Sequence, residues 1–164
     1  MASTNQTSIK ADPGKQEMFI TREFNAPKNL VYKAFTDPKL IVQWLGPRDM
    51  KMKIDHYDLK NGGGYRYLHT DPQGNEYAFR GVCHEVSPEL IIQTFEFEGL
   101  PEKGHVTLDT TRFEDLPGGR TKIVIHSVFQ SVSDRDAMIK SGMEGGMNQS
   151  YQRLDELLEK GGVR

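Results

Sequence analysis

Hydrophobic and polar residues alternate along several short stretches of this chain, which is the pattern of half-buried strands. Met18, Ile20 and Phe24 alternate with Thr21 and Glu23 in the first such stretch. The same period of two predicts further strands at residues 50–55, 65–70, 77–86, 90–97, 105–113 and 121–128. Short turns rich in Gly, Pro, Asn and Asp separate them, which favours antiparallel neighbours and one sheet of about seven strands.

A helical period interrupts the alternation and predicts two short helices. Pro27 opens the first helix, while Asp37 and Pro38 supply the N-cap and the first position of the second. Gly46 and Pro47 end the second helix. The apolar stripes of the two helices consist of Leu30, Val31, Ala34 and Phe35, and of Leu40, Ile41 and Trp44.

The C-terminal part of the chain has helical spacing from about residue 133 to Lys160. Gly142, Gly145 and Gly146 would each cost about 1 kcal/mol in a helix interior, so this cluster predicts a kink or a break. The apolar stripe comprises Met143, Met147, Ser150, Tyr151, Leu154, Leu157 and Leu158. We expect the opposite side to carry Glu144, Gln149, Arg153, Asp155, Glu156 and Glu159.

The predicted sheet is wider than the single long helix that remains to cover it. A helix is about 10 Å across and does not fill the concave face of a curved sheet of this width. The remaining space is either packed by large side chains or left as a cavity for an apolar ligand. The residues that we assign to such a ligand site are Trp44, Tyr65, Tyr67, Phe79, Phe95, Leu108, Arg112, Met143, Met147 and Tyr151.

Two arginines share the phase of apolar neighbours on predicted strands. Arg22 follows Ile20, and Arg112 follows Leu108 and Thr110. An inward arginine would hold a carboxylate or a ring hydroxyl of the ligand. At a strand end, the guanidinium would instead reach solvent or a nearby carboxylate of the protein. The sequence leaves both interpretations open.

Composition narrows the class of protein. The chain has 164 residues, a single cysteine at Cys83 and a net charge of −2 with scattered Lys and Arg. These features favour a cytoplasmic protein without an internal disulfide, a membrane span or a nucleic-acid surface. Residues 1–16 are polar and predict a disordered tail, which leaves residues 17–164 as a single domain.

Catalytic and metal-ligating patterns are weak in this sequence. The five histidines have no ligand-like spacing, and Cys83 and His84 would point to opposite faces of a strand. We therefore predict no metal, no cofactor and no defined catalytic residue. If the protein is an enzyme, the candidates for acid–base chemistry are His69 with Asp71, His126 and Glu76.

Five segments resemble a known family when they are taken in order. Residues 24–27, 31–38, 43–47, 63–67 and 71–74 read FNAP, VYKAFTDP, QWLGP, GGYRY and DPQG. Together they resemble the START-like (SRPBCC, birch-pollen-allergen-like) superfamily, in the branch similar to the C-terminal domain of the heat-shock protein 90 ATPase activator. The resemblance covers about residues 18–160. It implies an α+β helix-grip fold, in which a curved antiparallel sheet wraps the C-terminal helix around a hydrophobic cavity.

The resemblance also implies a function. A protein of this type is expected to bind a small aromatic or lipid-like molecule without acting on it chemically. Leu45 and Met147 stand where the branch often has aromatic residues, which bears on ligand preference. Two alternatives stay open: a cyclase or hydratase that acts on such a molecule, and a stress-related co-chaperone. A chaperone partner and a homodimer are left open with them.

Overall fold

The computed structural model describes residues 4–164, and within them eight strands and four helices. The strands are β1 (Ser8–Lys10), β2 (Glu17–Phe24), β3 (Lys51–Asp58), β4 (Gly64–Thr70), β5 (Glu76–Val86), β6 (Leu90–Phe97), β7 (Thr107–Leu116) and β8 (Arg120–Val128). The helices are α1 (Lys28–Thr36), α2 (Pro38–Ile41), α3 (Val132–Lys140) and α4 (Met143–Glu159). None of these four combines the length and the apolar character that crossing a bilayer requires.

The strands form one curved antiparallel sheet in the order β1-β2-β8-β7-β6-β5-β4-β3. Strands β3 to β8 follow one another as a meander, so each pairs with its neighbour in sequence. Strand β2 pairs with β8 at the end of this meander, and the two short helices carry the chain from there to the opposite edge strand, β3. The predicted α+β fold with a single antiparallel sheet is confirmed.

Strand β1, which the sequence does not predict, lies in the segment that the sequence assigns to a disordered tail. β1 pairs with β2, and Ile9, opposite Ile20, packs partly buried against the core. Without β1, the outer edge of β2 would present unpaired backbone N–H and C=O groups. Pairing with β1, whose apolar anchor is Ile9, satisfies them. Residues 8–10 are therefore ordered, against the prediction. The prediction for residues 1–3 lies outside the described part of the chain.

The helix pair follows the signals of the sequence. The Asp37 side chain caps α2 by accepting a hydrogen bond from the Lys39 N–H at 2.9 Å. Because α2 is only four residues long, Trp44 lies in the loop after it and not on the helix as predicted. The Trp44 indole N–H donates to the Ala34 carbonyl of α1 at 3.0 Å, and the ring is 1% exposed. The pair thus fixes Trp44 in the core.

The predicted break in the C-terminal helix lies between α3 and α4. Gly142 has a φ of +84°, a left-handed conformation that suits glycine because it lacks a Cβ. The Ser131 hydroxyl caps α3 by accepting a hydrogen bond from the Asp134 N–H at 3.0 Å. The face that α4 buries consists of Ser150, Tyr151, Leu154, Asp155 and Leu157.

Arg22 points into the core, and its partner is a carboxylate of the protein. The guanidinium contacts both Asp155 oxygens, at 3.1 and 2.6 Å, and lies 5.0 Å from the centre of the Phe24 ring. Both side chains of the ion pair are almost fully buried. The expectation that Asp155 lies away from the buried face of the helix is wrong, because the guanidinium compensates the charge of the carboxylate. The pair thus ties β2 to α4.

Candidate functional site

A cleft of about 760 Å³ lies between the sheet and the helices α3 and α4. Ala137, Met138 and Met143 line it from the helices, and Leu100 and Pro101 line it from the loop between β6 and β7. The aromatic side chains that β5 and β6 contribute to it are Tyr77, Phe79, Phe95 and Phe97. This space, called the cleft below, is therefore lined mainly by apolar groups.

A second, smaller space of about 140 Å³ is called the inner cavity. Its aromatic lining consists of Phe35, Trp44, Tyr57, Tyr65, Tyr67, Phe95 and Tyr151. Its polar lining consists of Gln93, Asp109 and Thr111. Phe95 borders both spaces, so the cleft and the inner cavity lie on the same face of the sheet.

Neighbouring aromatic rings run across β4, β5 and β6 from one space to the other. The ring centres of Tyr65 and Tyr67 are 5.9 Å apart, those of Tyr67 and Phe79 5.4 Å, and those of Phe79 and Phe95 5.5 Å. Stacked pairs of this kind each add about 0.5–1.5 kcal/mol beyond the burial of their area. The rings therefore support one another as a continuous wall.

Asp109 of β7 places a carboxylate in the inner cavity. Its Oδ1 is buried and has no hydrogen-bond partner among the described residues. Burial raises the pKa of Asp109 to about 6, against the smaller opposing effect of the Ser127 hydroxyl, which lies opposite on β8. At neutral pH the carboxylate is thus mostly ionised, but mild acid protonates it.

Phenol groups line the same cavity as this carboxylate. Burial is the main cause that raises the pKa values of Tyr65, Tyr67 and Tyr151, and the charge of Asp109 raises each of them further. The three phenols consequently stay neutral at physiological pH. All three residues line the inner cavity, and the Tyr65 hydroxyl donates a hydrogen bond to the Thr94 carbonyl.

His69 of β4 lines the cleft, and its environment keeps it neutral. The ring packs against the backbone of Gly46, where a Cβ would come within 2.4 Å of it. Its Nδ1 is buried without a partner in the part of the chain that the structure describes. Burial, followed by the charge of Arg153, lowers the pKa of His69 to about 4. The ring is therefore uncharged where it borders the cleft.

A polar pair borders the cleft where the β6–β7 loop meets α3. The Nδ1 of His105 lies 3.0 Å from an oxygen of Asp134, and this hydrogen bond is the main cause that raises the pKa of His105. The Glu102 carboxylate lies 3.7 Å from the other ring nitrogen. Glu102 is exposed and the other two side chains are partly exposed, so the three give the apolar cleft a polar border.

The structure brings most of the predicted ligand residues to these two spaces. Trp44, Tyr65, Tyr67 and Tyr151 line the inner cavity, Phe79 and Met143 line the cleft, and Phe95 lines both. Met147 packs against the core and lines neither space. Contact between these residues and a ligand stays a prediction.

Leu108 and Arg112 are exceptions, because they lie on the outer face of β7. Leu108 is 44% exposed, and Arg112 is exposed as well. The inward positions of this strand carry Thr107, Asp109 and Thr111 instead. The prediction is wrong for both residues because polar side chains occupy the inward phase of β7, so the apolar alternation indicates the wrong face.

Of the candidates for acid–base chemistry, only His69 lines the cleft. Asp71 closes the turn between β4 and β5, where its carboxylate accepts hydrogen bonds from two backbone N–H groups. His126 stacks on Phe19 of β2, with ring centres 4.5 Å apart, and contacts neither space. Glu76 is exposed. The structure therefore does not bring the four together.

The described residues provide no cluster of three or more His, Cys, Asp or Glu side chains that could hold a metal ion. Cys83 is buried on β5, and burial raises the pKa of its thiol, which keeps it protonated. The two spaces offer apolar contact, neutral phenols, the neutral imidazole of His69 and the carboxylate of Asp109. The border of the cleft adds the polar groups of His105, Glu102 and Asp134.

Sequence reasoning missed Asp109, which no apolar pattern marks. The available signal was its phase: Thr107, Asp109, Thr111 and Phe113 fall on the same face of one strand. Phe113 is 3% exposed, so it identifies the buried side of β7. With Phe113 as the anchor in place of Leu108, Asp109 becomes the inward residue.

Solved structures share this fold over nearly the whole chain. A crystal structure of a protein from Rhodobacter sphaeroides has a TM-score of 0.83 and 26% identity, and the match covers 93% of this chain and 98% of that one. A solution structure of a protein from Arthrobacter aurescens has the same score and identity, with coverage of 93% and 91%. The AHSA1 protein of Silicibacter pomeroyi, 18% identical, has a TM-score of 0.72 with coverage of 87% and 97%, and this likeness shows the fold alone.

Comparison at the level of sequence gives the family. No curated protein matches the chain significantly. A family model described as "Activator of Hsp90 ATPase homolog 1-like protein" matches residues 25–159, which is most of the chain. The resemblance found in the sequence motifs is thereby confirmed. The chain belongs to the Activator of Hsp90 ATPase homolog 1-like family.

Proposed function

We propose that this protein binds a small apolar molecule in the cleft. The observation that carries the proposal is the volume of the cleft, about 760 Å³, which falls within the range of about 300–1,000 Å³ typical of ligand pockets. Aromatic rings line one side, and Met138 and Met143 line the other. Methionine side chains adapt to ligands of varied shape, so this lining suits an apolar molecule.

The fixed wall of the cleft supports the same proposal. Phe79 packs on Tyr67, Phe95 and Phe97, with ring centres between 5.2 and 5.5 Å apart. His69 is held between Gly46 and the edges of these rings. Because these side chains are already ordered, a ligand that packs on them loses little free energy to their immobilisation.

A cleft-filling variant tests the proposal. Ala137 is an exposed residue of α3 that lines the cleft, so A137W places an indole inside it without disturbing the core. We expect this variant to weaken binding of the neutral fluorescent probe N-phenyl-1-naphthylamine at least tenfold. The matched control is I139W on the same helix, because Ile139 is 39% exposed and does not line the cleft. Absence of probe binding, or equal binding by A137W and the wild type, would sink the proposal.

An enzyme that acts on the bound molecule is the second candidate, and His69 favours it. Its ring lines the cleft and is neutral at physiological pH, so it is able to accept a proton from a bound molecule, although its low pKa makes it a weak base. This candidate predicts that a cleft ligand is chemically altered on incubation and that H69Q abolishes the change, with ligand binding measured in parallel on the same variant. Recovery of unchanged ligand from the wild-type protein would argue for binding alone.

The remaining inferences from the resemblance stay predictions. A co-chaperone would raise the rate of ATP hydrolysis by a chaperone of the heat-shock protein 90 class, which is measured directly with the purified pair. The expected cytoplasmic location and the open question of a homodimer are tested by cell fractionation and by sedimentation.

A further inference from the structure

The inner cavity combines a buried carboxylate with an aromatic lining. Asp109 Oδ1 is buried without a hydrogen-bond partner in the described part of the chain. A polar atom in this state costs free energy unless a partner reaches it. The carboxylate borders a space of about 140 Å³, so a bound molecule is able to supply that partner.

The protein itself supplies no cation to Asp109. Burial and the Ser127 hydroxyl account for its pKa, and no Lys, Arg or His among residues 4–164 contributes to it. Arg22 lies near Tyr151, but its guanidinium is engaged by Asp155. The charge that Asp109 carries at neutral pH thus lacks a counter-ion within the described chain.

The walls around this charge suit a cation. Tyr65, Tyr67, Tyr151, Trp44 and Phe95 border the same space, and the negative face of an aromatic ring attracts an ammonium group by about 0.5–2 kcal/mol. A neutral hydroxyl would satisfy Oδ1 equally well as a hydrogen-bond donor. It would, however, leave the charge of the carboxylate uncompensated.

The volume of the inner cavity limits the size of the molecule that it is able to bind. An apolar cavity of about 150 Å³ in another protein holds benzene, so a space of about 140 Å³ accommodates a group the size of one ring. We propose that the inner cavity binds a primary ammonium group on a small apolar body, with Asp109 as its counter-ion and the aromatic side chains as its walls. This site is separate from the cleft and does not depend on what the cleft binds.

Titration calorimetry with benzylamine, and with benzyl alcohol as its uncharged counterpart, tests this assignment. At pH 7 we expect the wild-type protein to bind benzylamine at least tenfold more tightly than benzyl alcohol. D109N keeps the shape of the side chain but removes its charge, so it should abolish this preference and leave binding of benzyl alcohol unchanged. Equal binding of the two compounds by the wild type, or of benzylamine by D109N and the wild type, would overturn the assignment, as would failure of benzylamine to bind.

The pH dependence of the wild-type protein gives a readout that needs no variant. The titratable groups that share the inner cavity with Asp109 are Tyr57 from β3, Tyr65 and Tyr67 from β4 and Tyr151 from α4. All four stay neutral below pH 8 because their pKa values are raised. Protonation of Asp109 alone should therefore weaken benzylamine binding about tenfold between pH 7 and pH 5. Binding of benzyl alcohol should not change, and a flat profile for benzylamine contradicts the proposal.

Two variants distinguish the ammonium site in the inner cavity from the apolar site in the cleft. A137W fills the cleft and should leave benzylamine binding unchanged, whereas D109N should leave binding of N-phenyl-1-naphthylamine unchanged, because Ala137 and Asp109 line different spaces. Loss of benzylamine binding in A137W would show that the amine occupies the cleft, and this result would overturn the inner-cavity site.

Discussion

Asp109 and His69 each have a buried polar atom, and they illustrate how burial favours the neutral forms of an acid and a base. Burial raises the pKa of Asp109 to about 6 and lowers that of His69 to about 4. Each residue lines one of the two spaces, and perturbed pKa values of this kind are typical of functional sites. Both are therefore markers of the candidate site.

The raised pKa of Asp109 predicts a specific dependence of stability on pH. The unfolded carboxyl titrates near pH 3.8 and the folded one near 6, so its contribution to stability is fully present below about pH 3.8 and is lost as the pH rises through 6. Relative to the wild type, D109N should thus gain about 2–3 kcal/mol in the free energy of unfolding between pH 4 and pH 7. Urea denaturation of both proteins at several pH values measures this gain, and a constant difference would contradict the burial of the charge.

The ion pair between Arg22 and Asp155 gives a second prediction at this scale. R22M removes the guanidinium from a buried carboxylate, and we expect a loss of about 3–5 kcal/mol in the free energy of unfolding. The double variant R22M/D155L also removes the charge of the carboxylate and should recover most of that loss. Urea denaturation measures both, and a double variant no more stable than R22M would show that the pair is not the cause.

At the scale of elements, the sequence predicts what local chemistry determines. The N-cap at Asp37 and the break at Gly142 are encoded by single residues and were predicted. The face of β7 was not, because its inward residues Thr107, Asp109 and Thr111 are polar, and the burial of Phe113, which marks this face, follows from tertiary packing. Strand β1 is likewise ordered by a tertiary contact, because it pairs with the edge of β2.

The break between α3 and α4 allows a matched pair of glycine substitutions. Gly142 adopts a positive φ, so G142A should destabilise the protein by about 1 kcal/mol. Gly145 lies within α4 with open space around its Cα, and G145A should be neutral or stabilise by up to about 1 kcal/mol. Thermal unfolding measures both effects. Equal effects of the two substitutions would mean that the left-handed residue does not determine the break.

At the scale of the whole molecule, the order of the elements was sufficient to predict the fold class. One strand, a helix pair, a meander and a C-terminal helix predict a single curved sheet covered on one side, which the solved relatives share. The contents of the candidate site were less predictable. Most of its aromatic residues were assigned from their size, but Asp109 and the residues of α3 that line the cleft required the tertiary structure.

The most direct test of whether the cleft binds an apolar molecule is NMR spectroscopy of the protein with isotope-labelled methionine methyl groups. Three methionines line the cleft, namely Met50, Met138 and Met143, while Met18, Met52 and Met147 do not line it. NMR spectra of the protein with N-phenyl-1-naphthylamine should show nuclear Overhauser contacts from the probe to methyl groups of the first set only. Contacts confined to the second set, or no contact with any of the six, would contradict the claim.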